Sequence, residues 1–208
     1  ADTNFSSVAI RQDKFNPFRM DVGGRNYIPN SSLKGAGHNL SGTLTIVNDP
    51  DGVILTRTNT TSSSRHICST RFISNFALGD QITFSAWLRL KSGIIPANSS
   101  MFVRFFNSSG ENVQDVISIG FSHISGNWVR VTGTGTITNS TIDFSRDIQV
   151  AIAIGTPTAP VTIQTKEWKL EKGNRATDWT PAPEDYEVTE FVSGADLAEG
   201  MAKFNASY

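Results

Sequence analysis

The sequence predicts an all-β fold, an antiparallel sandwich of two packed sheets. Three observations predict it. Apolar and polar residues alternate with period two from about residue 53 to residue 170. Turn-rich separators recur between the alternating runs, and no helical pattern longer than two turns interrupts them. Charged residues make up only 18% of 208, too few for long solvated helices. The balance lies in Ser, Thr, Asn and Gly, the residues of turns and wet strand faces.

Eight strands are expected in the alternating region, over residues 53–58, 65–72, 82–91, 101–107, 113–121, 127–134, 148–154 and 161–170. The clearest is the third. Ile82, Phe84, Ala86, Leu88 and Leu90 alternate with Thr83, Ser85, Trp87, Arg89 and Lys91, giving one apolar face. Ser92-Gly93, Asn107-Ser108-Ser109-Gly110, Ser125-Gly126-Asn127 and Gly155-Thr156-Pro157 separate the runs. Evenly spaced strands without intervening helices make a sandwich or a barrel. Long strands with one apolar face favour two packed sheets, each with a core side and a wet side.

The ends differ from this region. Residues 1–25 carry Phe5, Phe15, Phe18 and Met20 without a clean period and read as an arm or linker. Gly23-Gly24 is a natural hinge before a short strand at 26–30. The sandwich is expected to span residues 26–183, stopped by Pro181-Ala182-Pro183. Over residues 184–208, Val188, Phe191, Val192 and Ala195 have helical spacing, as do Leu197, Met201 and Phe204. Gly194 and Gly200 weaken that pattern. The segment is a linker, or a short helix that needs a partner such as the same stripe of another copy. Ala1-Asp2-Thr3-Asn4 has neither the charge nor the apolar stretch of a signal peptide. The sequence also begins without Met and reads as a processed or excised piece of something longer.

Several functions are disfavoured. The net charge of −1 offers no basic field for nucleic acid and no basic run for an anionic membrane. No apolar stretch is long enough to span a bilayer. Cys68 has no partner cysteine and lies in a strand-like run, where an inert buried thiol is expected. His38, His66 and His123 are scattered, without the spacing of a zinc site. No nucleophile elbow or phosphate loop occurs, and carboxylates are sparse on the strands. Catalysis is therefore not expected.

A binding role is better supported. Sugars present apolar C–H faces that stack on aromatic rings and hydroxyls that pair with polar side chains. Alternation turns Phe84, Ala86 and Leu88 inward, so Trp87 must face outward with Ser85 and Arg89. Trp87 is either a stacking platform flanked by Arg89 or an indole covered by a loop or the N-terminal arm. In 101–107, Met101, Val103, Phe105 and Asn107 resemble the core set. That puts Arg104 and Phe106 outside, beside Trp87 if the two strands pair. Alternatively Phe102 and Phe106 are core and Arg104 snorkels. Arg71 is a weaker candidate, with a solvated surface charge as the other reading.

Four local motifs resemble carbohydrate-binding jelly-roll modules of phage tail and baseplate proteins. They are Arg25-Asn26-Tyr27-Ile28-Pro29-Asn30-Ser31, then Leu78-Gly79-Asp80 with Thr83-Phe84-Ser85-Ala86-Trp87, then Gly126-Asn127-Trp128-Val129-Arg130-Val131-Thr132-Gly133-Thr134. The fourth is Trp168-Lys169-Leu170-Glu171-Lys172-Gly173 followed by Ala176-Thr177-Asp178-Trp179-Thr180-Pro181-Ala182-Pro183-Glu184-Asp185. This last motif resembles the closing strand and exit of tail-associated proteins of phages infecting Gram-positive bacteria; the others are shared with modules appended to glycoside hydrolases. The resemblance covers about residues 25–185.

The resemblance implies a jelly roll, a host cell-wall polysaccharide as ligand, other tail or baseplate proteins as partners, and a place in the extracellular virion. It implies that Trp128 helps close the sandwich, that Trp168 and Leu170 are core, and that Trp179 packs where the chain leaves. No cofactor is expected. Such modules often hold a structural calcium, for which Asn48-Asp49-Pro50-Asp51-Gly52 is the best acidic loop, although it lacks EF-hand spacing and reads as a turn. Two further readings stay open: a structural adaptor that binds only virion proteins, and a sugar-binding appendage of a bacterial glycoside hydrolase.

Overall fold

A computed structural model describes residues 24–33 and 38–185. They form ten strands: β1 (Asn39–Leu40), β2 (Leu44–Asp49), β3 (Gly52–Arg57), β4 (His66–Ile73), β5 (Gln81–Ser92), β6 (Ser100–Phe106), β7 (Asn112–Gly120), β8 (Val129–Thr136), β9 (Asp147–Ile154) and β10 (Val161–Lys172). A single 3-10 turn, Pro183–Asp185, follows. The strands make two five-stranded antiparallel sheets, β1-β4-β9-β6-β7 and β2-β3-β10-β5-β8. The expected arm at 1–23 and the apolar stripe beyond residue 185 lie outside the described residues. Among the described residues no helix is long and apolar enough to cross a membrane.

The inward halves of the alternating strands meet between the sheets. Ile82, Phe84, Ala86 and Leu88 of β5 pack with Met101, Val103 and Phe105 of β6, Val150 and Ile152 of β9, and Trp168 and Leu170 of β10. Burial of these side chains is the main stabilising term, at roughly 1.5–3 kcal/mol for each large one. Trp168 is fully buried, and its N–H donates to Thr165 Oγ1 at 2.7 Å, so its polar end carries no desolvation debt. One charged group also points inward. Arg57 is sealed in the core and donates to the carbonyls of Asn59, Ile154 and Ser62.

All eight expected strands are present, with ends shifted by at most two residues. Two more were not expected. β1 has two residues, and β2 is an edge strand whose wet side carries Thr45 and the exposed Val47. The expected strand at 26–30 is not a strand. Tyr27 N–H donates to Leu170 O, but Pro29 carries no N–H and Asn30 has φ 52°, so no ladder propagates.

Candidate carbohydrate-binding face

Register ranks the outer side chains of the second sheet into rows. Arg89 of β5 lies opposite Gln164 of β10, which lies opposite Ile54 of β3. The next row is Arg130 of β8, Trp87 of β5 and Lys166 of β10. A third is Thr132, Ser85 and Lys169. Trp128, one residue ahead of β8, continues the first row beside Arg89.

Trp87 faces outward as alternation requires and is half-buried between its two cationic neighbours. No hydrogen bond, ring contact or cation engages its indole among the described residues. The groups around it are fixed in place. Arg89 donates twice to Gln164 Oε1, at 2.9 and 2.6 Å, and reaches Asp51 at 3.4 Å. Lys166 Nζ meets Asp51 at 2.9 Å, and Trp128 Nε1–H donates to the same carboxylate at 3.3 Å. The hydrogen bond from Lys166, foremost, holds the Asp51 carboxyl below its ordinary pKa. Arg89 and Lys166 both lie on the Trp128 ring, 4.5 and 4.7 Å from its centroid. Trp128 therefore belongs to this polar face rather than closing the sandwich, and cations already occupy its ring. Of the two indoles on this face, Trp87 is the one without a partner among the described residues.

The exit of the chain covers one end of the face. Lys169 Nζ donates to Thr177 Oγ1 at 2.8 Å and Asp178 O at 2.6 Å, with Glu171 at 3.7 Å. Glu171 accepts from Thr177 N–H at 2.8 Å and from its hydroxyl at 2.5 Å. Arg130 donates to Ser85 Oγ and to the Thr177 carbonyl. Ser85 is buried beneath this segment, while Trp87, one row further on, is not. Among the described residues the exit segment thus covers the Ser85 row and not Trp87; the N-terminal arm lies outside them.

The remaining expected site residues stand on the opposite side of the molecule. β6 pairs with β7 and β9, not with β5, so Arg104 and Phe106 do not lie beside Trp87. Arg71, Gln149, Arg104 and Asp115 form a row across the outer face of the first sheet. Arg104 makes a two-pronged bond to Asp115 at 2.6 and 3.0 Å and covers Phe102, 4.6 Å from its centroid. Arg71 covers Phe106 at 4.7 Å and meets Asp147 at 3.5 Å. Met101, Val103 and Phe105 are core, as the expected register requires. Phe102 is nonetheless also buried, on the outer side against Ala151, Ala153 and Ile67.

Comparison with solved structures places this architecture. The CBM22-1 xylan-binding domain of Paenibacillus barcinonensis Xyn10C matches with TM-score 0.51 at 14% identity, over 74% of this chain and 98% of that one. Carbohydrate-binding modules of the β-sandwich superfamily with promiscuous specificity match at 0.50 and 17%, over 72% of this chain and 63% of theirs. The enzymatically active domain of bacteriophage CBA120 tailspike protein 4 matches at 0.50 and 11%, over 71% of this chain and 21% of that one. The chain shares the two-sheet jelly-roll fold of these domains. At these identities the likeness concerns fold alone. No family model matches the chain, and no curated protein does.

Within this jelly roll the acidic loop is the turn between β2 and β3. Asp51 is held by Lys166, Arg89 and Trp128, and Asp49 accepts from Gln164 at 2.9 Å and from Asp51 N–H at 2.9 Å. Both carboxylates brace the outer face. Among the described residues no group of three or more His, Cys, Asp or Glu is placed to hold a metal. Sequence reasoning missed Trp128, Lys166, Gln164 and Asp51 as parts of the Trp87 face. The alternation of β8 and β10 pointed them outward, but which strands flank β5 is written only in the folded register.

Proposed function

We propose that the chain is a non-catalytic carbohydrate-binding module of a phage tail or baseplate protein, recognising host cell-wall saccharide through the Trp87 face. The observation that carries this reading is an outward indole with no partner among the described residues, bordered by fixed Arg89, Arg130 and Lys166. An arginine holds five N–H donors, so Arg89 retains capacity for a sugar hydroxyl after bonding Gln164 and Asp51. Stacking over about 100 Å² contributes about 2.5 kcal/mol at ~25 cal/mol per Å². Immobilisation offsets much of that, so one site binds weakly and several copies on a tail bind by avidity. The closing motif supports the phage setting, and the jelly roll supports a sugar ligand.

The test is binding of purified cell-wall polysaccharide by wild type and Trp87→Ala. The variant should bind at least about tenfold more weakly, the loss expected from roughly 1.4 kcal/mol. Equal binding removes Trp87 from the site. A second reading rests on the opposite face, where Arg71, Gln149 and Arg104 line up beside the small side chains of Ala151 and Ala153. Arg104→Ala tests it: loss of binding there, with Trp87→Ala unaffected, moves the ligand to the first sheet.

A further inference from the structure

Next to the Trp87 face is an open-mouthed pocket of about 200 Å³ that neither motif nor alternation foretold. It is lined by Pro50, Asp51 and Gly52 of the β2–β3 turn, Lys166 and Glu167 of β10, Trp179 of the exit segment, and Ser32. Asp51 and Lys166 belong to both places, since the same two side chains hold Trp128. The pocket and the indole face are therefore one continuous surface.

Its construction is unusual for a strand surface. The register of β10 against β5 shifts between Lys166 and Lys169, and Glu167 in that bulge has φ 56°. A left-handed backbone is costly for a residue with a side chain, and such outliers gather at ligand sites. Among the described residues Glu167 also has no hydrogen-bond or ionic partner. The bulge thus places an unpaired carboxylate in the pocket. Trp179 supplies an aromatic wall, and its N–H is sealed from solvent without an acceptor. The close approach of the turn depends on Gly52, where a Cβ would lie 2.5 Å from Thr165 O.

We infer that this pocket receives one pyranose ring, bearing no anionic group, of a glycan that continues over Trp87. This deepens the proposed function and rests on it. The size suits one ring, since pockets that engulf drug-sized ligands run to about 300–1,000 Å³. Asp51 is balanced by Lys166 and Arg89, whereas nothing balances Glu167. Hydroxyl and ammonium groups satisfy that carboxylate; a uronate or phosphate is repelled by it.

The probes are methyl glycosides of glucose, galactose, glucosamine and glucuronic acid, followed through the assigned indole N–H resonances of the four tryptophans. At least one neutral or amino glycoside should shift the Trp179 signal saturably, with the glucuronide at least fivefold weaker. Glu167→Gly relieves the left-handed backbone, so its melting temperature should equal or exceed that of wild type while binding falls at least fivefold. Glu167→Gln should narrow the gap between glucuronide and glucoside. The inference is overturned if the glucuronide binds as well as the others, or if Glu167→Gly binds like wild type. If that happens while Trp87→Ala still loses cell-wall polysaccharide, the pocket assignment fails and the face stands. If no glycoside moves an indole signal and Trp87→Ala binds polysaccharide normally, both fail.

Discussion

Cys68 sits on β4 with its thiol sealed in the core, and burial pushes its pKa up to about 12. Only the thiolate reacts, so alkylation of the native protein requires opening of the sandwich. The raised value also sets a direction. The folded state keeps its proton through a range where the unfolded thiol, near 8.5, has lost it. The stability this contributes is full below that value and declines as pH rises towards 12. Iodoacetamide at pH 8 should leave Cys68 unmodified in buffer and label it fully in urea, as read by mass spectrometry; rapid native labelling contradicts the burial. Its inertness was legible in the sequence, because a lone Cys in an alternating run has nothing to activate it. Trp87 was legible for a similar reason, since its neighbours Ala86 and Leu88 define the opposite side. Arg104 was not. Alternation turned it outward correctly, but outward from a different sheet.

The closing strand is the element with the most unusual chemistry. Lys169 and Glu171 lie on its outer side, yet their side chains are 0% and 1% exposed because the exit segment is fastened over them. Burial lowers the Lys169 pKa against the pull of Glu171. Removing one member strands a buried charge, which typically costs about 3–5 kcal/mol. Lys169→Met should lower the urea-unfolding free energy by that amount. Lys169→Met with Glu171→Leu should lose less than the two single changes summed, because the pair is coupled. A loss below 1 kcal/mol in Lys169→Met would show that the clamp contributes little. The sequence marked this strand as a motif but not as a clamp, since period two names a side and is silent about what covers it. The same limit explains β2. Only Leu44 and Ile46 of its six residues pack inward, too few for the alternation to register.

At the scale of the molecule, the long strands announced a sandwich, but not the partners of each strand. β5 is flanked by β8 and β10, and β6 by β7 and β9, so β5 and β6, consecutive in the chain, fall in opposite sheets. That crossing divides the expected site residues between two faces, and local pattern carries no trace of it. The order also brings the two ends of the domain together. Asn26 donates to the carbonyls of Trp168 and Thr180, each at 3.0 Å, and accepts from Leu170 N–H at 3.2 Å. Arg25 pairs with Glu184, and Asp185 accepts from the backbone N–H groups of Asn30, Ser31 and Ala182. The lead-in and the exit are thus one structural unit with β10, although 12 residues separate Lys172 from Asp185. The test compares a chain of residues 24–185 with a shorter one. One ending at residue 172 leaves the Lys169–Glu171 pair uncovered and Asn26 short of an acceptor. If that costs about 3–5 kcal/mol, at about 2–4 °C per kcal/mol it should melt roughly 6–20 °C lower. Calorimetry of the two decides the matter: equal midpoints would mean that the sandwich needs no cover over its second sheet, and that the exit segment is free to leave the Trp87 face.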